Sequence, residues 1–150
     1  MSTYIIELQC EVDDTGIDRH ALERLAVRAL ETEQVPKPAE LSIVLADDAT
    51  VHELNRTYRN TDAPTDVLSF SQLDGEQFTR PEGSAQHLGD IVISVETARR
   101  RYPGGSFGRE LERLAVHGLC HLFGHDHQRP KPARTMFALQ SRLLHLPVPG

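Results

Sequence analysis

The sequence predicts an α+β fold, in which a small mixed sheet of about four strands packs with about five helices. Apolar and polar residues alternate from Tyr4 to Val12, which is typical of a half-buried strand. From Asp18 to Glu33 the apolar residues instead recur at helical spacing. Short apolar runs and further helical stretches follow along the chain, and the sum of the two kinds of element favours a sheet backed by helices.

The first half of the chain predicts two strands and two helices. Strand one, Tyr4 to Val12, places one set of side chains on a single face: Tyr4, Ile6, Leu8, Cys10 and Val12. The first helix has its apolar positions at Leu22, Leu25, Ala26, Ala29 and Leu30, and prolines 36 and 38 prevent its continuation. Leu41 to Ala46 is an apolar run suited to a strand. Asp47 or Asp48 then caps a helix that continues through Tyr58.

The second half predicts two more strands and three helices. The strands are Val67–Ser71 and Asp90–Ser94, separated by a loop rich in glycine and charge. The helices are expected at about Val95–Tyr102, Phe107–Phe123 and Ala133–Leu146. Histidines lie late in the Phe107–Phe123 helix, in the arrangement found in zinc proteases.

Composition indicates a single globular domain over residues 1–150. Apolar residues make up 39% of the chain and charged residues 25%, and tryptophan is absent, so we expect an aliphatic core. No apolar run approaches the ~20 residues that a membrane span needs, and no signal peptide is evident. We therefore expect a cytoplasmic protein without a membrane partner. Two cysteines, Cys10 and Cys120, are too few for a disulfide framework.

The segment from His117 to His127 predicts a metal site. His117 and His121 are four residues apart, so on a helix both rings project from one face. Gly124 can end that helix and turn the chain, which brings His127 back towards the same ion. Three histidine ligands leave one position of a tetrahedral ion open, as in catalytic zinc sites. We expect one zinc ion per chain, although nickel or another divalent transition metal also suits imidazole ligands.

Gly118 argues against one class of metalloenzyme. Zinc proteases with H-E-x-x-H-x-x-G-x-x-H place a glutamate directly after the first histidine, where it takes a proton from metal-bound water. Here that position is Gly118. The glycine leaves two explanations open: space over the metal for a bulky substrate, or close packing of the helix on a neighbouring element.

Four segments resemble one known family. The run from His117 to His127 is similar to the H-G-x-L-H-L-x-G-[YH]-D-H signature of the YbeY endoribonucleases. Leu54–Arg59, Thr65–Phe70 and Leu88–Ser94 match the same family in the same order. The resemblance implies a single-strand-specific, metal-dependent endoribonuclease that matures the 3′ end of small-subunit ribosomal RNA and takes part in ribosome quality control. It also implies that His117, His121 and His127 bind the metal, and that Arg59 and His117 are catalytic.

Arg59 suits phosphodiester chemistry, because a guanidinium can hold two phosphate oxygens as their charge grows in the transition state. Arg56 lies on the same helical face, where a surface role is expected. The general base stays open among Asp66, Asp90, Glu110 and Asp126. Cys120 points away from both helical histidines and is interpreted as a small buried thiol.

The formal net charge of −6 does not favour a nucleic-acid partner, but local basic clusters flank the histidine segment. They comprise Arg99, Arg100, Arg101, Arg109 and Arg113 before it, and Arg129, Lys131 and Arg134 after it. We expect them to form a basic rim that binds single-stranded RNA in a salt-sensitive manner, with the ribosome or its assembly factors contributing to docking. Two alternatives remain: a noncatalytic RNA-binding or ribosome-assembly factor with a structural metal, and a metalloprotease.

Overall fold

A computed structural model describes residues 3–71, 85–101 and 107–123. The four strands in these ranges are β1 (Tyr4–Cys10), β2 (Ala39–Ala46), β3 (Val67–Ser71) and β4 (Gln86–Ser94). The four helices are α1 (Arg19–Thr32), α2 (Asp48–Arg59), α3 (Val95–Arg101) and α4 (Phe107–Phe123). The predicted α+β class is confirmed. The predicted helix Ala133–Leu146, which would be the fifth, lies outside the described residues.

The strands form one mixed sheet in the order β1-β2-β4-β3. β1 pairs with β2 and β2 pairs with β4 in parallel, whereas β3 runs antiparallel to β4. β3 is therefore an edge strand of this four-stranded sheet, with Ser69 opposite Ile91. The candidate site lies beside β3, at this edge of the sheet.

Helices pack on both faces of the sheet, because the side chains of β2 alternate between two apolar clusters. Leu41, Ile43 and Leu45 are fully buried on one face, where α1 and α4 cover them. Val44 faces the other way and packs with Val51 of α2. The larger cluster contains one buried aromatic residue, Phe107, so the core of the described ranges is mainly aliphatic, as expected.

Aspartates begin the first two helices, as the sequence indicates. The Asp18 carboxylate accepts a hydrogen bond from the Ala21 amide (3.0 Å) at the start of α1. Asp47 does the same with the Thr50 amide (2.8 Å) at the start of α2, which selects it over Asp48 as the cap. Asn60 caps the end of α2, and its φ of 57° places it in the left-handed region that suits asparagine.

Three strands differ in their bounds from the prediction: β1 ends at Cys10 rather than Val12, β2 begins at Ala39 rather than Leu41, and β4 differs most. β4 begins at Gln86 rather than Asp90, because Gly89 and the polar residues before it interrupt the apolar pattern without interrupting the strand. Gly89 has a φ of +153°, and an added Cβ there would collide with the Phe70 backbone, so only glycine suits this close approach of β3 and β4. None of the described helices is long and apolar enough to cross a membrane.

Candidate active site

The two helical histidines converge on one point. His117 is half-buried and His121 is exposed on the last turns of α4, and their Nε2 atoms lie 2.9 Å apart. Their ring centroids are 4.5 Å apart, with the planes inclined by 72°. The i, i+4 spacing thus places two imidazole nitrogens side by side, as expected from helix geometry.

This donor pair fits a transition-metal ion. In a tetrahedral zinc site with Zn–N bonds of about 2.0 Å, two ligand nitrogens are about 3.3 Å apart, so small ring rotations suffice to admit the ion. His127, the predicted third ligand, lies outside the described residues. Within the residues that are described, no group of three or more potential ligands occurs. The three-histidine site therefore stays a prediction.

Gly118 packs the histidine helix against the sheet. A Cβ on this buried residue would lie 2.6 Å from Ile91 Cγ2 and 3.2 Å from Ser69 Oγ, so an alanine would not fit without movement. The Ser69 hydroxyl donates to the Gly118 carbonyl at 2.9 Å. Of the two explanations that the sequence left open, the structure supports close packing, because the missing side chain would point into the sheet.

Arg59 is the last residue of α2, and its guanidinium reaches the outer edge of β3. The Ser94 amide donates to the Asp66 carbonyl at 2.8 Å, so the carbonyl of residue 66 faces β4. Successive carbonyls of a strand point in opposite directions, so the carbonyl of Ser69, three residues later, faces away from β4. Arg59 Nη2 donates to this outward-facing Ser69 carbonyl. Its Cζ also lies 5.2 Å from the centre of the Phe70 ring. These contacts hold the guanidinium at the open side of the edge strand.

A single cavity of about 1230 Å³ brings the predicted site residues together. It extends around β3 from the α2 face of the sheet to the α4 face. Its lining includes Arg59, His117, His121, Ser69 and Phe70. Arg59 and His117, which are 58 positions apart in the sequence, therefore line the same concave surface.

Ser69 is a site residue whose role could not be deduced from the sequence. Its carbonyl accepts from Arg59 and its hydroxyl donates to Gly118, so one residue connects the arginine to the helix turn that carries His117. The available signal was its place within the Thr65–Phe70 segment of the family resemblance. Its function depends on a β3–α4 contact that spacing alone does not reveal.

The carboxylates considered as the general base differ in whether they line the cavity. Asp66 and Asp90 line the cavity. Asp66 pairs with Arg101 at 2.7 Å, and Asp90 lies 3.3 Å from His87 Nε2. Glu110 is only 4% exposed. It lies away from the cavity lining between Arg101 and Arg113, at 3.3 Å and 3.4 Å, which is a structural arrangement. Asp126 lies beyond the described ranges.

The expected basic rim is not found for Arg99, Arg100, Arg101 and Arg113, four of the five arginines that precede the histidines. Arg99 donates to the backbone carbonyls of Asp13 and Thr15, Arg100 pairs with Asp48, and Arg101 and Arg113 contact carboxylates. None of these arginines lines the cavity. The expectation was wrong for them because clustering in sequence does not distinguish a free cation from one that anchors a neighbouring helix or loop. Arg129, Lys131 and Arg134 are outside the described residues.

Cys120 is a buried thiol, as interpreted from helix geometry. It is 2% exposed within the core cluster, and burial raises the pKa of its thiol to about 12. A thiol in this environment stays protonated and is a poor nucleophile. Arg56 likewise has the expected surface role, since it pairs with Glu53 on the exposed side of α2.

The fold and the site define a class of protein: α+β proteins with an H-x-x-x-H helix packed beside the edge of a mixed sheet. The family model described as Endoribonuclease YbeY matches residues 7–146. The chain belongs to the YbeY endoribonuclease family.

Individual relatives agree with this assignment. The chain is 48% identical to Endoribonuclease YbeY of Roseiflexus castenholzii over 131 residues, which cover 85% of this chain and 82% of that protein. It is 44% identical to Endoribonuclease YbeY of Geobacillus kaustophilus over 128 residues, covering 82% of each. The solution structure of a Thermotoga maritima protein is 26% identical and matches with a TM-score of 0.55, covering 94% of this chain and 87% of that one.

Proposed function

We propose that this chain is a metal-dependent endoribonuclease that cuts single-stranded RNA, and that its substrate is the small-subunit ribosomal RNA during maturation of its 3′ end. Membership of the YbeY endoribonuclease family supports the reaction class. We further propose that the protein acts in the cytoplasm, together with the ribosome or its assembly factors, as a part of ribosome quality control.

The convergence of Arg59 with the histidine pair in one cavity is the observation that carries this proposal. A histidine pair alone suits many hydrolases. A guanidinium beside it adds the group that a phosphodiester requires, because its planar N–H donors match two phosphate oxygens at once. Among the described residues, no carboxylate forms an ion pair with Arg59, so its charge is not neutralised by a neighbour within those ranges.

We assign each residue a role in the reaction. His117, His121 and His127 hold one divalent ion, with zinc as the first choice, and the bound ion supplies Lewis acidity for phosphodiester cleavage. Arg59 keeps one N–H on the Ser69 carbonyl, which fixes its direction, and presents its other donors to the phosphate. Asp66 and Asp90 are the cavity carboxylates within the described ranges that can accept a proton.

The same site disfavours the protease alternative. Gly118 stands where a zinc protease has its glutamate, and the close approach of Ile91 leaves no room there for any side chain. The noncatalytic alternative differs from our proposal in a measurable way, because it predicts no turnover by the wild-type protein.

The experiment is cleavage of a labelled single-stranded RNA by the metal-loaded protein. We expect Arg59→Ala to keep its metal and to lose at least about 100-fold in cleavage rate, the scale of removing one transition-state donor. Arg56→Ala is the matched control, since Arg56 lies one turn earlier on α2 and pairs with Glu53 outside the cavity. Equal rates for the wild type and Arg59→Ala would refute the role of Arg59. Absence of cleavage by the metal-loaded wild type would favour the assembly-factor alternative.

A further inference from the structure

Tyr58 is exposed at a position where an aromatic ring has no structural need to be. It lies on the last turn of α2, next to Arg59, and is 68% exposed. Val51 and Leu54 of the same helix make its apolar contacts with the sheet, so its apolar anchoring is complete without this ring. A large aromatic side chain that is exposed within a concave surface is a common feature of ligand-binding sites.

The Tyr58 ring belongs to the same cavity as the histidine pair and Arg59. Its centroid lies 5.8 Å from that of Phe70, with the planes inclined by 76°, which is an edge-to-face contact. Phe70 is also approached by the Arg59 guanidinium, at 5.2 Å. The edge-to-face contact orients the Tyr58 ring, and Phe70 connects it to the residue proposed to hold the phosphate.

The spacing of these groups suits a nucleotide chain. In a single strand the base projects from the same sugar that carries the phosphate. Because the Tyr58 ring and the Arg59 guanidinium both contact Phe70, a phosphate at Arg59 places a base of the same strand within reach of Tyr58. Single-stranded RNA can present an unstacked base to an aromatic side chain, whereas a duplex keeps its bases stacked and paired. An exposed tyrosine next to a phosphate-binding arginine therefore selects for single strands.

We propose that the exposed face of Tyr58, oriented by Phe70, is a stacking site for a nucleobase of single-stranded RNA adjacent to the phosphate held by Arg59. This inference rests on the proposed function and adds a binding subsite to it. Stacking is possible with any base, because every base has a π-face, so the subsite supplies preference for single strands without sequence specificity.

The test begins with binding in the absence of turnover. Metal-free full-length protein is titrated into a fluorescently labelled single-stranded RNA, and affinity is read from anisotropy. We expect Tyr58→Ala to bind about 5- to 150-fold more weakly, the range found when a stacking aromatic residue is removed. Tyr58→Phe should bind within about 2-fold of the wild type, because it keeps the ring. Thr57→Ala is the matched control, since Thr57 is an exposed neighbour that bonds to Glu53 and does not line the cavity.

Two further readouts separate stacking from a purely structural role. Tryptophan is absent from the chain, so Tyr58→Trp introduces a single indole whose fluorescence should be quenched when an unlabelled single-stranded oligonucleotide binds. In the metal-loaded protein, Tyr58→Ala should raise KM for single-stranded RNA much more than it lowers kcat. An RNA with one abasic nucleotide beside the cleaved bond should bind the wild type more weakly than the intact RNA does. Tyr58→Ala should bind the abasic and the intact RNA equally.

Different results would refute the stacking site and the proposed nuclease function. If the wild type cleaves RNA but Tyr58→Ala binds and cleaves like the wild type, the stacking site is wrong and the nuclease stands. If Tyr58→Phe is as impaired as Tyr58→Ala, the hydroxyl rather than the ring matters and stacking is also wrong. If the wild type binds no RNA in the anisotropy titration and its metal-loaded form cleaves none, the proposed function fails and the subsite fails with it.

Discussion

At the scale of single residues, Gly118 determines how closely the histidine helix approaches the sheet. Its α-carbon faces Ile91 and Ser69, and the Ser69 hydroxyl bonds to its carbonyl. The residue before it is His117, so any movement of the backbone here also moves a proposed metal ligand. A substitution at Gly118 therefore affects both the packing of α4 on the sheet and the position of a proposed metal ligand.

Gly118→Ala should destabilise the protein even though alanine is the better helix former. The gain in helix propensity is about 1 kcal/mol, whereas forcing a methyl group to 2.6 Å from Ile91 Cγ2 costs about 1–3 kcal/mol and shifts α4. Urea unfolding measures the difference. Gly108→Ala on the same helix is the matched control, because its Cβ meets nothing within 4 Å, and it should be neutral or slightly stabilising. A Gly118→Ala protein as stable as Gly108→Ala would contradict the packing argument.

The site residues differ in how far the sequence could predict them. The histidine pair follows from i, i+4 spacing on a helix, which is a local rule, and the structure places both rings as expected. Arg59 was assigned by family resemblance, since a lone arginine at a helix end is by default a solvated charge. Ser69 could not be assigned, because its two bonds join β3 to both α2 and α4, and no local pattern encodes such contacts.

At the scale of elements, a polar cluster joins the beginning of α2 to α3. The Asp48 carboxylate accepts hydrogen bonds from Ser94, Thr97 and Arg100. Partial burial opposes the charge on Asp48, but these hydrogen bonds outweigh it and lower the pKa of the carboxyl from 3.8 to about 2. Ser94 is fully buried at the end of β4, so the cluster anchors the helix that carries Arg59.

The lowered pKa makes a pH-dependent prediction for Asp48→Asn. Because the folded-state pKa lies below the ordinary value, ionised Asp48 stabilises the fold above about pH 4, and this contribution is lost as the pH falls towards 2. We expect Asp48→Asn to lower the free energy of unfolding by about 1–2 kcal/mol at pH 7, after allowance for solvent screening. The difference from the wild type should shrink between about pH 4 and pH 2. Denaturant unfolding over this pH range is the measurement.

Asp14→Asn provides the control for the removal of one negative charge, since Asp14 is exposed on a loop. It should change stability by less than about 0.5 kcal/mol at any pH. A loss of stability for Asp48→Asn that is independent of pH would show that shape rather than charge explains the cluster.

Element types were predicted well because most depend on local periodicity. The buried residues of α1 are the five that the pattern selected, and every residue from Phe107 to Phe123 is helical, as predicted for that stretch. β4 was predicted too short, since its first half contains Gln86, His87 and Gly89, which do not follow an apolar pattern. That half is specified by pairing with β2 and β3, which the sequence of β4 alone does not contain.

At the scale of the whole molecule, the strand order creates the site. β4 lies between β2 and β3, which places β3 at an edge and lets α2 and α4 approach it from opposite faces. The sequence predicted a small mixed sheet but not this order, because the order depends on long-range pairing. The prediction that residues 1–150 form a single domain stays a prediction.

The net charge of −6 is also a property of the whole chain. Arg59 lies in the cavity, whereas Arg99, Arg100, Arg101 and Arg113 hold the carbonyl and carboxylate groups of the protein itself. The proposed RNA binding by the described part of the chain therefore rests on Arg59 and its cavity rather than on these four arginines. This is consistent with the proposal that the ribosome or its assembly factors contribute to docking.

The most direct test of the central claim, that the histidine cavity is a metal centre for RNA cleavage, is a metal titration followed by cleavage. Purified protein is stripped with a chelator, zinc or nickel is added back in steps, and bound metal and cleavage of a labelled single-stranded RNA are measured together. We predict no cleavage without metal and a rise that saturates at about one ion per chain, the number that a single three-histidine site holds. Full-rate cleavage by protein shown by mass spectrometry to be free of metal would contradict the account.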